Sequence, residues 1–77
     1  MFAKNGIPLY IQLKETLLED IKLNYKVNDI IPAEGKLERK YEVSRITVRK
    51  AIEELEKDNI VVKKQGKGTF VQEQKIL

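Results

Sequence analysis

The sequence predicts a small α+β domain that is mostly helical, with three helices followed by a two-stranded β-hairpin. Apolar residues recur at helical spacing in three separate segments, and two β-branched runs flank a glycine-containing turn near the C-terminal end. The 77 residues can enclose only one core. With an ordinary hydrophobic content of 42%, the chain is expected to fold as one domain.

The first helix is predicted from Leu9 to Asn24, where Pro8 suits a helix start. Apolar residues recur at every fourth position and predict a stripe that faces a core: Leu9, Leu13, Leu17 and Ile21. The following segment, Val27 to Pro32, mixes turn formers with apolar residues and is predicted to be a connector, with Ile30 or Ile31 in the core.

A short second helix is predicted from Ala33 to Tyr41, because Leu37 and Tyr41 lie four residues apart. Gly35 falls in its first turn and costs about 1 kcal/mol relative to alanine. Packing against the rest of the domain must therefore stabilise this helix.

Ser44 is predicted to cap a third helix, because its hydroxyl can accept a hydrogen bond from the backbone N–H of Ile46 or Thr47. This helix is predicted over 44–57. Apolar residues share one of its faces: Val48, Ala51, Ile52 and Leu55. Asp58 and Asn59 predict its end, since asparagine tolerates the left-handed conformation.

The hairpin is predicted from the runs Ile60–Val62 and Thr69–Val71, with a turn at 65–68. The folded domain is placed at residues 1–72. Residues 73–77 are expected to begin a linker or to form a frayed terminus.

Charge is distributed unevenly along the chain. The net charge is +3, and residues 44–71 carry seven basic and four acidic side chains, whereas residues 1–43 carry seven of each. The excess of positive charge in the second half favours a nucleic-acid partner.

The composition excludes several classes of function. Cysteine and histidine are absent, which excludes disulfides, the usual zinc sites and the commonest nucleophile and general-base arrangements. We expect no catalysis, cofactor or metal. No apolar stretch approaches a membrane span and no signal-peptide layout is present, so a cytoplasmic protein without membrane contact is expected.

Two helices joined by a tight turn can place the second in a DNA major groove. The guanidinium fork of Arg45 and Arg49 matches the acceptors of guanine, with phosphate contact as the competing role. Hydroxyls of Ser44 and Thr47 can add contacts near the helix start. Gly66 allows close approach of the hairpin to the duplex, and the minor groove is the expected place of contact. Lysines are expected to attract the DNA backbone without reading sequence: Lys50, Lys63, Lys64 and Lys67.

Each of these features also has a purely structural interpretation. Ser44 caps the helix whether or not it touches DNA, and Arg49 and Lys50 could pair with Glu53 and Glu54 on a solvated face. A protein-interaction module with the same fold is a rival function, and a small enzyme with a closed pocket is another. The order of turn, capped basic helix and basic hairpin favours DNA binding.

Four runs resemble the N-terminal domain of the GntR family of bacterial regulators, and together they cover nearly the whole chain. They are PLYIQ at 8–12, IPAE at 31–34, VSRITVRKA at 43–51 and QGKGTFV at 65–71. The first also resembles the start of the HutC-like and YtrA-like branches.

The resemblance implies a winged helix-turn-helix that binds a palindromic operator as a homodimer and represses transcription. It implies DNA contacts by Arg45, Thr47, Arg49 and Gly66. It also implies that a separate C-terminal domain outside this chain binds a small-molecule effector, so that 73–77 would begin the linker to it.

The chain departs from the family pattern at two places. Ala33-Glu34-Gly35 stands where the family often has Ser-Glu-Arg, which removes a helix cap and a DNA-contacting arginine. Glu42 stands where a turn glycine is expected, and a left-handed conformation there would cost about 1 kcal/mol.

Overall fold

The computed structural model describes residues 6–73, and residues 1–5 and 74–77, including most of the predicted linker, lie outside the described range. The elements follow in the order α1 (Leu9–Asn24), α2 (Glu34–Tyr41), α3 (Arg45–Lys57), β1 (Val61–Lys64) and β2 (Gly68–Val71). The two strands pair antiparallel, with Val61 opposite Val71 and Lys64 opposite Gly68. The predicted α+β architecture of three helices and a hairpin is confirmed. We call the hairpin 61–71 the wing.

The core lies between α1 and α3, and α2 and the base of the wing close it. Its buried side chains include Leu13 and Leu17 from α1, Leu37 from α2 and Ile52 from α3. Leu9 does not belong to it, contrary to the predicted stripe, because its side chain is 40% exposed. Residues spaced four apart drift around a helix with 3.6 residues per turn, so the first member of the stripe turns away from the core.

The start of α1 is fastened by a glutamine. Pro8 occupies the N-cap and provides no side-chain cap. Gln12 is buried, and its Nε2 donates a hydrogen bond of 2.8 Å to the carbonyl of Ile7. This bond ties the segment before the helix to its first turn.

The turn between α2 and α3 keeps the geometry expected for a glycine although Glu42 occupies it. Glu42 has φ 54 and ψ 48, in the left-handed region. The backbone N–H of Val43 then donates to the carbonyl of Glu38 at 3.2 Å, which is the long bond of a Schellman motif. At the other end of α2, Ala33 offers no side-chain cap, as its apolar methyl predicts.

Helix α3 begins and ends as its sequence predicts. The backbone N–H of Thr47 donates to Ser44 Oγ at 3.2 Å. Asn59 adopts φ 59, and the N–H of Ile60 reaches the carbonyl of Leu55 at 2.9 Å. A second Schellman motif therefore ends α3 and turns the chain into β1.

The connector before α2 joins the wing, which the sequence did not indicate. Ile30 forms an antiparallel bridge with Phe70, and the N–H of Ile31 donates to the carbonyl of Thr69 at 2.9 Å. Strand β2 is thus paired on both edges. Of the two predicted candidates, Ile31 is the one buried in the core.

Ile30 instead lies across the wing at Gly68. A Cβ on Gly68 would lie 2.7 Å from Ile30 Cδ1, and Gly68 has φ 129. Only glycine satisfies both conditions. Both strands also extend further than the β-branched runs predicted, because pairing continues through Lys63 and Lys64 to the turn.

Candidate nucleic-acid interface

The first two turns of α3 present a polar and mostly basic surface. Ser44, Arg45, Arg49 and Lys50 are exposed, while Thr47 is half-buried. Ser44 Oγ and Thr47 Oγ1 lie 3.0 Å apart and share a hydrogen bond in addition to the cap. Both hydroxyls therefore have structural partners and also lie beside the exposed N-terminal end of the helix, where the dipole favours anions.

Two arginines of this surface pair with two glutamates of α2. Arg45 Nε donates to Glu38 Oε2 at 2.8 Å, and Arg49 Nε donates to Glu34 Oε1 at 3.0 Å. The two arginines lie four residues apart on α3, and the two glutamates lie four residues apart on α2. Two side-by-side bridges therefore join α2 to α3 where the helices cross. Each arginine side chain remains 57% exposed.

The bridges fix each guanidinium group at its Nε. Each hydrogen bond uses Nε, which leaves the two terminal Nη groups for an outside acceptor such as the O6 and N7 edge of guanine or a phosphate. The hydrogen bond from Arg45 to Glu38, and then the charge of Glu38, raise the pKa of the Arg45 guanidinium above its ordinary value.

Glu53 and Glu54, the sequence-adjacent candidates, do not pair with Arg49 and Lys50. Glu54 accepts a hydrogen bond from Lys57 Nζ at 3.1 Å. The Lys50 ammonium lies 4.5 Å from the centroid of the Tyr10 ring, a cation–π contact. Lys50 is thus directed toward the start of α1, whereas the two arginines are directed toward α2.

The wing carries the other predicted contacts. The N–H of Lys67 donates to the carbonyl of Lys64 at 2.9 Å and closes the turn. Gly66, the third residue of this turn, has φ 75, and a Cβ there would meet nothing within 4 Å. Glycine is therefore favoured here by backbone conformation, and its lack of a side chain leaves the tip open to close approach.

The wing lysines do not act as one cluster. Successive strand residues point to opposite faces, so Lys63 and Lys64 diverge. The Lys64 ammonium lies 4.9 Å from the centroid of the Phe70 ring. The backbone N–H of Lys63 lies 3.5 Å from Glu56 Oε2, which links the strand to α3.

An open groove runs between the wing and the start of α2. Its walls include Glu34 on one side and Lys64, Gly66 and Lys67 on the other. Glu34 also binds Arg49, so one of the two arginine–glutamate pairs has its glutamate in the wall of this groove. Arg49 and the wing tip are thus linked to one groove through Glu34, and the DNA contacts that the sequence predicts for them stay predictions.

Three residues of this surface were not singled out from the sequence. Glu34 and Glu38 were missed because they lie in another helix than the arginines. The available signal was that the two glutamates and the two arginines have the same spacing of four residues, which allows two ion pairs between the helices. Ile46 was read only as a backbone donor, although it is 77% exposed. The sequence does indicate this exposure, because Ile46 does not lie on the helix face that carries the other apolar residues of α3.

The described residues contain no cluster of three or more histidine, cysteine, aspartate or glutamate side chains that could hold a metal ion. Within the same range, no helix is long and apolar enough to cross a membrane.

Comparison with known proteins gives matches over almost the same range. The family model described as bacterial regulatory proteins, gntR family, matches residues 9–71. An uncharacterized HTH-type transcriptional regulator, YurK of Bacillus subtilis, is 50% identical over 73 residues, which are 94% of this chain and 30% of YurK. A probable fructoselysine utilization operon transcriptional repressor of Escherichia coli is 48% identical over 88% of this chain and 28% of its own length. The chain thus spans about 30% of the length of these relatives.

Solved structures match the fold as well. The crystal structure of AraR(DBD) in complex with operator ORR3 superposes with a TM-score of 0.81 at 35% identity, covering 92% of this chain and 87% of that one. A GntR family transcriptional regulator from Listeria monocytogenes gives a TM-score of 0.85 at 26% identity, covering 94% of this chain and 64% of that one. The helices and wing described above therefore have the architecture of winged-helix regulators. The relatives are named as transcription regulators.

Proposed function

Since the chain belongs to the gntR family of bacterial regulatory proteins, we propose that it is the sequence-specific DNA-binding domain of a transcription repressor. The observation that carries this proposal is the pair of exposed arginines, each held through Nε by a glutamate, one of which, Glu34, lines the same groove as the wing tip. An α-helix fits the major groove, and a neighbouring wing reaches the adjoining backbone or minor groove. The similar structure of AraR(DBD) in complex with operator ORR3 supports DNA as the partner.

The proposed contacts divide by chemistry. Arg45 and Arg49 read base edges in the major groove through their terminal nitrogens. Ser44 and Thr47 hydrogen-bond to phosphate beside the start of α3, and Gly66 brings the wing backbone against the duplex. The lysines supply attraction to the DNA backbone without base preference: Lys50, Lys63, Lys64 and Lys67.

The two glutamates set a limit on this attraction. Glu34 and Glu38 place negative charge beside the reading arginines, so electrostatic affinity for DNA of any sequence is reduced. Binding then depends more on the directed contacts of the guanidinium groups. We expect the charge of these glutamates to weaken binding to all duplexes alike, while the bridges keep the arginines oriented for base reading.

The protein that contains this domain is proposed to act in the bacterial cytoplasm as a homodimer on a palindromic operator, in which each domain occupies one half-site. Residues 1–72 form the DNA-binding unit, and 73–77 begin the linker to a C-terminal domain that dimerises and binds a small-molecule effector. The PLYIQ start supports assignment to the HutC-like or YtrA-like branch.

The proposal is tested by selecting bound sites from random duplexes and titrating the selected duplex by fluorescence anisotropy at two salt concentrations. Arg45→Ala should weaken binding to that duplex by about 1–3 kcal/mol and relax preference at one base position. Lys22→Ala is the matched control, because it removes one exposed positive charge from the far end of α1. It should leave the base preference unchanged.

Failure of the chain to bind any duplex in a salt-dependent manner would refute the proposed function and favour the protein-interaction alternative. An equal loss on all sequences for Arg45→Ala would assign Arg45 to phosphate and would overturn its reading role.

A further inference from the structure

Ile46 is an apolar side chain in the middle of the basic surface of α3. It is 77% exposed, more than any other large hydrophobic side chain that the structure describes. Its neighbours on the helix are Arg45, Arg49 and Lys50, which are all exposed. Nothing in the fold of the domain accounts for a bulky aliphatic group at this position.

The helix geometry directs Ile46 straight away from the core. Nine residues separate it from the fully buried Leu55, and at about 3.6 residues per turn they lie on opposite faces of α3. Arg45 and Arg49 lie on the flank that faces α2, where the glutamates hold them. Ile46 therefore occupies the most protruding part of the first turn, with the arginine forks to one side of it.

We propose that Ile46 is a specificity-determining residue that reads the C5-methyl group of a thymine in the major groove. This inference rests on the proposed function. When α3 enters the groove, the protruding face of its first turn meets the base edges. Thymine alone among the four bases presents an apolar group there, so it is the chemical partner of an aliphatic side chain. Any other base edge would leave the isoleucine against unsatisfied polar atoms.

The recognition sequence then combines two kinds of contact. The guanidinium forks select guanine on the α2 side of the helix, and Ile46 selects thymine at a neighbouring step. This contact also supplies base reading that does not depend on salt, because it involves no charge.

The test replaces each thymine of the selected half-site duplex with deoxyuridine, one position at a time, and measures affinity for the 77-residue chain. Deoxyuridine differs from thymidine only by the absent methyl group. One substitution should weaken binding by about fourfold, which corresponds to about 0.8 kcal/mol for one buried methyl. The same substitution should have no effect on Ile46→Ala, which binds both duplexes at the weaker level.

Leu23→Ala is the matched control, because Leu23 is 74% exposed on α1 and has a side chain of equal size. It should retain the full sensitivity to deoxyuridine. Ile46→Val, which keeps a branched apolar group, should retain most of it.

The inference is overturned if the wild-type chain binds its selected site yet no deoxyuridine substitution weakens it, or if Ile46→Ala keeps the sensitivity. Absence of specific DNA binding by the wild type would instead refute the proposed function, and the role of Ile46 with it.

Discussion

Glu42→Gly should stabilise the domain, because Glu42 holds a left-handed conformation at the turn between the two helices of the DNA-binding motif. With φ 54 and ψ 48, this residue bears a strain of roughly 1–2 kcal/mol that glycine lacks. Glycine also makes the unfolded chain more flexible, which offsets about 0.4–1 kcal/mol. The net gain is therefore roughly 0–1.6 kcal/mol, with a central value of about 0.8 kcal/mol, or about 3–6 °C in Tm for a domain of this size.

Urea unfolding followed by the helical circular dichroism signal measures this gain directly. Glu42 is exposed and forms no ion pair with any described residue, so Glu42→Ala, which keeps a Cβ, should match the wild type. Asn28→Gly is a second control, because asparagine already tolerates its φ of 74. A Glu42→Gly domain no more stable than the Ala variant would refute the reasoning, since strain at the Cβ would then cost nothing.

Three further predictions concern other positions. Ala33→Ser should add about 0.5–2 kcal/mol to the free energy of unfolding, because it supplies the cap that α2 lacks, and unchanged urea unfolding would contradict this. Lys64→Ala should weaken DNA binding equally on all sequences and lower the slope of log affinity against log salt by about one unit; an unchanged slope would remove Lys64 from the interface. Glu38→Gln, which can still accept from Arg45 Nε, should raise affinity for all duplexes and keep base preference, whereas Glu38→Ala should reduce the preference at the base read by Arg45. Equal preference in both Glu38 variants would show that the bridge does not position the arginine.

Local sequence patterns predicted the elements well because each carries its own boundary signal. Helix α1 begins and ends as predicted, Ser44 caps α3 through Thr47, and Asn59 ends α3 in the left-handed conformation. These features depend on residues within a few positions of one another. The left-handed turn at Glu42 was foreseen only through resemblance to a family, since glutamate by itself argues against it.

Contacts between distant segments were not predictable from the sequence. The bridge between Ile30 and Phe70 joins residues far apart in the chain. The segment around Ile30 has no alternation of apolar and polar residues that would predict a strand there. The glutamate partners of Arg45 and Arg49 depend on how α2 crosses α3. The alternative interpretation, which paired Arg49 and Lys50 with Glu53 and Glu54 of α3, is therefore wrong. The predicted contacts of individual residues with DNA stay predictions until the variants above are measured.

Strand β2 pairs with β1 on one edge and with Ile30 of the connector on the other. The hairpin is thereby attached to the rest of the domain by backbone hydrogen bonds on the second edge of β2. A duplex that meets this surface encounters α3 and the hairpin at a preset separation, and little flexibility is lost on contact. The domain therefore binds with a fixed distance between α3 and the hairpin. In a protein with two such domains, we expect a regulatory signal to change binding to DNA by altering the distance or tilt between the domains, because the arrangement within each domain is fixed by the pairing of β2.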